Sequence, residues 1–405
     1  MAQIIFEEQW GDNFYTRLEC NAPFVGEQPW AAVDNIVIVE NINWMSPIVK
    51  VEFVDSLGVI PSAGYFSTES EYKLHLGQDA EDTMVIPISP LKMEVGQMQP
   101  GLMENFHVSF PFYMDHWHEM NLRNRCRGWR NRKYSDVVNV IAEECGFEEI
   151  NIQPTRNKYS IIQPDMTNYQ MLRWLQKESK SIEGDHAYQI GVSADGSFFY
   201  QSLNSLYNTE PTKTLFSTAK DFTATDGDEN TFMLYNLNFK NKYLGPLTYG
   251  ASGIESCHYN WETKEFVYEE HYFSDMNQDQ LSEWSTLAEK DEMISKLSSG
   301  GRDIDRRDED ITKVIQKTNA IHSLSGTMMG NMDISIGEVV KVIISPSEKW
   351  DIDISETSSG YYMISRVQHN IMTQKRQFVT DVTLQRVGTD LKELEGLVES
   401  SSGKV

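Results

Sequence analysis

Residues 358–372 read SSGYYMISRVQHNIM, and residues 375–387 read KRQFVTDVTLQRV. Both runs are rich in β-branched and aromatic side chains and alternate apolar with polar positions. A short polar break, Thr373 and Gln374, separates them. Period-two alternation bounded by a polar turn is the pattern of paired strands with one buried face. Just upstream, SIGEVVKVIIS (335–345) is a third run of the same kind. The end of the chain therefore reads as a β block.

Working outward, the opening of the chain has the same character. VDNIVIVENINWMSPIVKVEFVD (33–55) gives two β-branched runs around Asn43 to Pro47, ending at the turn Asp55-Ser56-Leu57-Gly58. SEYKLHLG (70–77), MVIPISPLKMEV (84–95) and ENFHVSFPFY (104–113) continue it. Pro87 and Pro90 mark an edge or bulged strand. Many strands joined by short turns predict a sandwich or barrel.

Between these blocks the pattern changes. MDHWHEMNLRNRCRGWRNRK (114–133) is aromatic and then basic. SDVVNVIAEECG (135–146) predicts a short helix with Ser135 as N-cap, Gly146 as C-cap, and Val137, Val138, Ile141 and Ala142 inward. A second helix is predicted from Thr167 to Lys180, capped by Thr167, with Met171, Leu172, Trp174 and Leu175 buried. The turn Ala194-Asp195-Gly196 predicts a hairpin after it. Further strands are expected at 230–243 and 262–273. The polar 276–322 segment, with its alternating charges at 302–310, reads as helical.

The 405 residues carry 60 acids against 35 bases, a net charge of −25. Such a field repels nucleic acid wherever the acid faces it, because phosphate binding needs Lys and Arg to neutralise it; taken alone, the charge reads first as a device for solubility. No apolar run reaches the ~18 residues of a membrane helix. The acidic N-terminus, MAQIIFEEQWGD, does not resemble a signal peptide. Cys20, Cys126, Cys145 and Cys257 contain no CxxC pair and read as free thiols in a reducing cytoplasm.

Catalytic patterns are missing: no GxGxxG after a strand, no GxxxxGK[ST], no HExxH and no GxSxG. In a strand, His116 and His118 would share a face as metal ligands, but no further ligand stands at suitable spacing, and packing or an interface is the better reading. Asp226, Asp228 and Glu229 form only a fragment of a calcium loop and read as a surface turn. Neither a catalytic residue, a metal nor a cofactor is assigned. The one basic island is Arg123, Arg125, Arg127, Arg130, Arg132 and Lys133. Arg is favoured at protein interfaces because its planar fork pairs carboxylates. Trp117, Arg123, Arg125, Arg127, Trp129 and Arg130 are accordingly the interface candidates, facing acid elsewhere in the same oligomer.

Residues 330–388 resemble the closing tube domain of contractile-tail baseplate hub proteins. The resemblance rests on Gly337, Gly360, Tyr361, Tyr362, Ile364, Val367, His369, Thr380 and Leu384. SDVVNVIAEECGF (135–147) is similar to the family's short helix. TNYQMLRWLQKESKSIEGDHAYQIGVSADGSFFYQSL (167–203) is similar to its helix followed by strand–DG–strand. IVIVENINWMSPIVKVEFVDSLG (36–58) is similar to its first tube strands. The family includes the T-even phage hub, late control protein D and the base of type VI secretion spikes. The valine–glycine needle and the lysozyme domain of some members have no counterpart in this sequence.

The resemblance implies a mixed, mainly β (α+β) fold with two tube-type β-barrel domains. The expected division is 1–113 for the first barrel and 114–225 for the α+β module. Residues 226–275 with 323–390 would form the second barrel, 276–322 a helical polar insertion, and 391–405 a flexible tail. It further implies a homotrimer that matches a three-fold central spike to a six-fold tail tube. Its partners would be the spike, a tail tube protein or tube initiator, baseplate wedge proteins and a tape measure protein. DNA would pass through an acid-lined lumen without specific binding, and no stable membrane association is expected. The site of action would be the virion tail baseplate, assembled in the host cytoplasm. Two other readings stay open: a tail-associated peptidoglycan hydrolase, and the hub of a phage-derived injection or type VI secretion device.

Overall fold

The computed structural model describes residues 3–10, 14–20, 31–55, 71–77, 80–81, 83–90, 94–97, 106–218, 230–241, 253–260, 263–272, 294–298, 322–345 and 358–388. The first block holds β1 (Gln3–Trp10), β2 (Phe14–Cys20), β3 (Ala31–Asn41), β4 (Ile48–Asp55), β5 (Tyr72–Gly77), β6 (Thr83–Pro90), β7 (Glu94–Gln97) and β8 (Phe106–Met114). A central module follows: α1 (Asp115–Asn121), β9 (Arg125–Lys133), α2 (Tyr134–Glu144), β10 (Ile150–Ile152), β11 (Lys158–Met166), α3 (Asn168–Glu178), β12 (Tyr188–Val192), β13 (Phe198–Ser202) and α4 (Leu203–Tyr207). The remainder is β14 (Lys213–Thr218), β15 (Thr231–Met233), β16 (Tyr235–Asn241), β17 (Gly253–Asn260), β18 (Glu265–Tyr272), β19 (Ile294–Ser298), β20 (His322–Met329), β21 (Val339–Ser345), β22 (Gly360–Met372) and β23 (Gln377–Gly388). The fold is mainly β with a small helical share, as expected.

The two β blocks are hydrogen-bonded into one sheet of 15 strands. Its main path runs β1-β2-β5-β6-β8-β4-β3-β22-β21-β14-β15, with β23, β20 and β16 continuing from β22. The long strand β22 makes this possible. One edge pairs with β23 along nearly its whole length. The other edge is shared, Gly360–Met363 with β21 and Arg366–Met372 with β3. The β3 ladder is antiparallel, from Arg366↔Asn41 to Met372↔Asn35. Thr373 extends the joint, donating its hydroxyl to the Val33 carbonyl and its backbone N–H to the Asp34 carbonyl. Phe14 of β2 also packs on Phe378 of β23, ring centroids 4.9 Å apart.

Two apolar clusters follow. One gathers Leu18, Ile36, Ile38, Val51, Leu74 and Ile86 from the first block and continues into Val137, Ile141, Leu172 and Leu175 of the module. The other gathers Leu215, Val340, Val342, Ile364, Val382 and Leu384, with Ile42 from the first block and Phe199, Leu203 and Leu206 from the module. The module thus contributes to both, holding the blocks from one side. Truncating a fully buried leucine or isoleucine among these, such as Ile38 or Leu384, to Ala costs ~2–5 kcal/mol.

Inside the module, α2 and α3 cover the three-stranded sheet β10-β13-β12. Thr167 caps α3 as expected: its Oγ1 accepts the Gln170 N–H (3.2 Å) while Gln170 Oε1 accepts the Thr167 N–H (3.1 Å). Helix α2 differs from its expected start. It begins at Tyr134 after Lys133, and Asp136 rather than Ser135 returns to the cap, accepting the Lys133 N–H (3.1 Å). Ser135 lies inside the helix and bonds Thr155 instead. Gly146 adopts φ +84°, the left-handed geometry that ends a helix. Trp174, expected inside, is 39% exposed, with Tyr134 at its edge. Within the segment expected to be helical, Ile294–Ser298 is a strand pairing parallel to β17. The expected turn at Asp226, Asp228 and Glu229 and the tail at 391–405 lie outside the described residues.

Candidate functional site

The basic island became a strand because β9 has a partner. It pairs with β11 as a two-stranded antiparallel ribbon, and alternation sorts its side chains. Arg125, Arg127 and Trp129 turn to the half-buried side, while Cys126 and Arg130 are exposed. Arg123, in the turn before β9, is exposed too.

Arg127 is engaged within its own module. Its Nε donates to Gln163 Oε1 (2.8 Å), Nη2 to Asn168 Oδ1 (3.1 Å), and Nη1 to both Glu144 oxygens (2.5 and 2.7 Å). The guanidinium also lies 4.8 Å from the Trp129 ring centre. Gln163 and Asn168 are buried, and Asn168 further donates to Cys145 Sγ. Burial pushes the Cys145 thiol up to about 11, so it stays protonated. This network ties β9, β11, α2 and α3 together. It occupies two interface candidates, Arg127 and Trp129, with internal contacts. Trp117 is likewise stacked on Tyr113, 4.4 Å between rings.

His116 and His118 stand on helix α1, not on a strand. Two residues apart on a helix point to opposite sides, ~200° around the axis. His116 Nδ1 contacts the Cys145 carbonyl (3.1 Å) and its ring packs on Phe147, whereas His118 Nε2 is buried without a hydrogen-bond partner. Among the described residues, no three His, Cys, Asp or Glu groups converge on a point where a metal would sit.

The two β blocks share a polar side on the central strands. On β22, β23 and β20 its members bond one another: Arg366 to Gln368 (2.8 Å), Gln368 to Asn370 (2.9 Å), Asn370 to Asp381 (2.8 Å), and Thr327 to Asp381 (2.6 Å). On β4 of the first block, Lys50 pairs with Glu52 (2.5 Å), which also accepts from Asn35 of β3. The surface dips to a depression of about 240 Å³ lined by Asn238, Ser325, Arg366, Gln368, Asp381 and Thr383, among others. Its bonded charges, Lys50, Glu52, Arg366 and Asp381, are two of each sign. The acidity of the chain is not concentrated on this bonded ladder.

On the opposite, core-facing side, the joint buries two ionisable groups. Glu40 of β3 is 1% exposed, in phase with Ile36, Ile38 and Ile42. Its Oε1 accepts the Ala194 N–H (3.1 Å), while Oε2 is unpartnered. Burial pushes the carboxyl up to about 8, outweighing the Ala194 N–H and the nearby Ile336 backbone, which favour the anion. Glu40 therefore touches the module and the second block from a strand of the first. His369 of β22 is fully buried, with Nδ1 on Thr380 Oγ1 (3.1 Å) and Nε2 unpartnered. Burial holds it down to about 4, so it is neutral. Sequence reasoning passed over Glu40, Gln163 and Asn168. Only for Glu40 did the sequence carry a signal, an acid in register with an apolar alternation.

No protein-family model matches the sequence, and no curated protein matches it. Solved structures do. The tail protein from Neisseria meningitidis MC58 is similar at TM-score 0.56 and 9% identity, over 92% of this chain and 96% of that one. The 43 kDa tail protein of prophage MuSo2 from Shewanella oneidensis is similar at TM-score 0.55 and 9% identity, over 92% and 98%. A third is an E. coli component of the type VI secretion system, described as similar to the T4 bacteriophage tail proteins gp27 and gp5. It matches at TM-score 0.50 and 8% identity, over 92% and 77%. Along most of its length, this chain has the fold of these tail and secretion proteins.

Proposed function

We propose that the chain is a structural subunit of a contractile-tail baseplate hub. The observation that carries the reading is the β3–β22 ladder within a tail-protein fold. Two β blocks from distant parts of the chain lie side by side and share one polar surface. In this reading three copies close a ring of six β blocks, seating a three-fold spike below and starting a six-fold tube above. A closed ring also disposes of sheet edges that would otherwise aggregate. In this proposal the blocks at 1–113 and at 226–275 with 323–390 are the two tube-type units, the second joined by β14 from the expected module range, and the rest of 114–225 braces them.

The polar side of the central strands lines the passage in this proposal. Its bonded charges are balanced in sign and its amides and hydroxyls bond one another, so it presents no concentrated cationic track to phosphate. DNA would slide past it without being held. The role assigned is mechanical, in the virion tail baseplate, with spike, tube and wedge proteins as partners.

Native mass spectrometry and electron microscopy test the reading. The expected result is a trimer of the 46.6 kDa chain with a central channel. A particle without a channel at any concentration, alone or with its spike, would overturn it. Similarity to the E. coli secretion component supports a second reading, the hub of an injection device. Capsid and terminase genes beside this one favour the phage, and effector genes favour the device.

A further inference from the structure

A cleft of about 670 Å³ opens where the paired ends of β9 and β11 meet α2 and β10. Arg132, Lys133 and Lys158 line it, with Asp136 and the apolar Val140 and Pro154. The ribbon register sets Lys158 directly opposite Lys133 and Tyr159 opposite Arg132. Like charges facing each other across strands repel. Yet among the described residues none of Arg132, Lys133 and Lys158, nor their neighbours Arg130 and Arg156, makes an ion pair. The carboxylate in the cleft, Asp136, accepts the Lys133 backbone N–H. Unmatched positive charge is the exception in a chain of net −25.

We propose that this cleft docks an acidic surface of a second copy of the chain. Each copy carries 60 carboxylate side chains, so the complementary charge is present in every partner of the same kind. Cations above a small apolar floor suit carboxylates mounted on a folded surface. A nucleic acid laid there would bring its phosphates into the field of the whole acidic chain. The inference rests on the self-association in the hub reading and assigns one of its contact faces. It also moves the contact away from Arg127, which is held internally.

Carbodiimide cross-linking of a 1:1 mixture of unlabelled and ¹⁵N-labelled full-length protein tests it, since the reagent joins a lysine amine only to a carboxylate it touches. Mixed-isotope peptides linking Lys133 or Lys158 to Asp or Glu of the other copy are expected, and they fade at ~1 M salt as charges are screened. The double variant R132E/K158E alters exposed side chains, so its circular dichroism stays that of the wild type. It should need about tenfold or more protein to assemble. If the variant assembles like wild type and mixed cross-links map elsewhere, the cleft assignment falls while self-association stands. If the wild type yields no mixed species at any concentration, with or without its spike, both fall. Salt-sensitive binding of a 30-nucleotide DNA that R132E/K158E abolishes would overturn the self-docking in favour of nucleic acid.

Discussion

Glu40 and His369 stand on the same core-facing side of the β3–β22 ladder, two pairs apart: Glu40 opposite Val367, His369 opposite Ile38. Both are buried, and burial moves them in opposite directions. The carboxyl is raised to about 8 and the imidazole lowered to about 4. Both are thus neutral near pH 7, and the joint between the two β blocks is uncharged there. It becomes charged at either extreme of pH.

The alkaline limb belongs to Glu40. Its folded pKa lies above its unfolded value, so the folded chain holds a proton that the unfolded chain has lost. The resulting stability is fully present below about pH 4.5 and is lost as pH rises toward 8. Asp195 and Glu338 add to the penalty on the anion. Glu40→Gln should remove this slope: a melting temperature near wild type at pH 5 and several degrees above it at pH 8.5. Equal melting curves at both pH values would refute the assignment.

The acid limb belongs to His369. Here the folded pKa lies below the unfolded one, so stability is present above about pH 6.5 and drains away as pH falls toward 4. His369→Gln should flatten that limb in a urea titration series between pH 4 and 7, at the cost of some stability at neutral pH. A wild-type series with no fall below pH 6 would show that His369 titrates freely.

Arg127 and Arg130 should separate cleanly, although they are neighbours in sequence. Arg127→Ala leaves the buried Gln163 Oε1 without its donor, takes one of two donors from Asn168 Oδ1 and leaves Glu144 without its cation, costing ~2–4 kcal/mol. Arg130→Ala on the exposed side should stay within ~0.5 kcal/mol. Chemical denaturation of the two variants reads the difference directly.

Gly191 of β12 lies opposite Phe199 of β13, and a Cβ at Gly191 would meet the Phe199 ring at 2.2 Å. Gly191→Ala must push a largely buried ring off its site, which costs ~1–3 kcal/mol. Since Phe199 belongs to the cluster of the second block, the loss should appear as a shifted unfolding midpoint for the whole chain. A local change in the module with an unchanged midpoint would contradict the packing.

How much of this was legible depends on which force shaped each element. The strands at 358–387 and 33–55 announce themselves because one face is buried and the other is not, a pattern written in period two. Their pairing with each other is not written anywhere, because antiparallel register between distant runs leaves no local mark. Thr167 was readable as a cap because capping is local chemistry. The ribbon strand β9 was not, since its inward residues are Arg125, Arg127 and Trp129, and an inward arginine makes sense only beside Gln163, Asn168 and Glu144. His116 packs against Phe147, in line with the packing reading of this segment, while the shared face that a strand would have given His116 and His118 is absent because they stand on a helix. Trp174 was misplaced because a large aromatic on a helix suggests burial, whereas here it borders Tyr134 at the module's surface.

The joint also sets an order of events. Thr373 reaches back to Val33 across 340 residues of chain. During synthesis β3 therefore emerges long before the strand that covers its free edge. Contacts of such sequence separation form slowly, because a very long loop must close before they contribute. Until then the nascent first block presents an unpaired edge to the ribosome's surroundings, which is where strand-exchange with other nascent copies would start. The completion of this subunit is thus decided by its last hairpin, and slowing the synthesis of β22 should raise aggregation more than slowing any earlier strand.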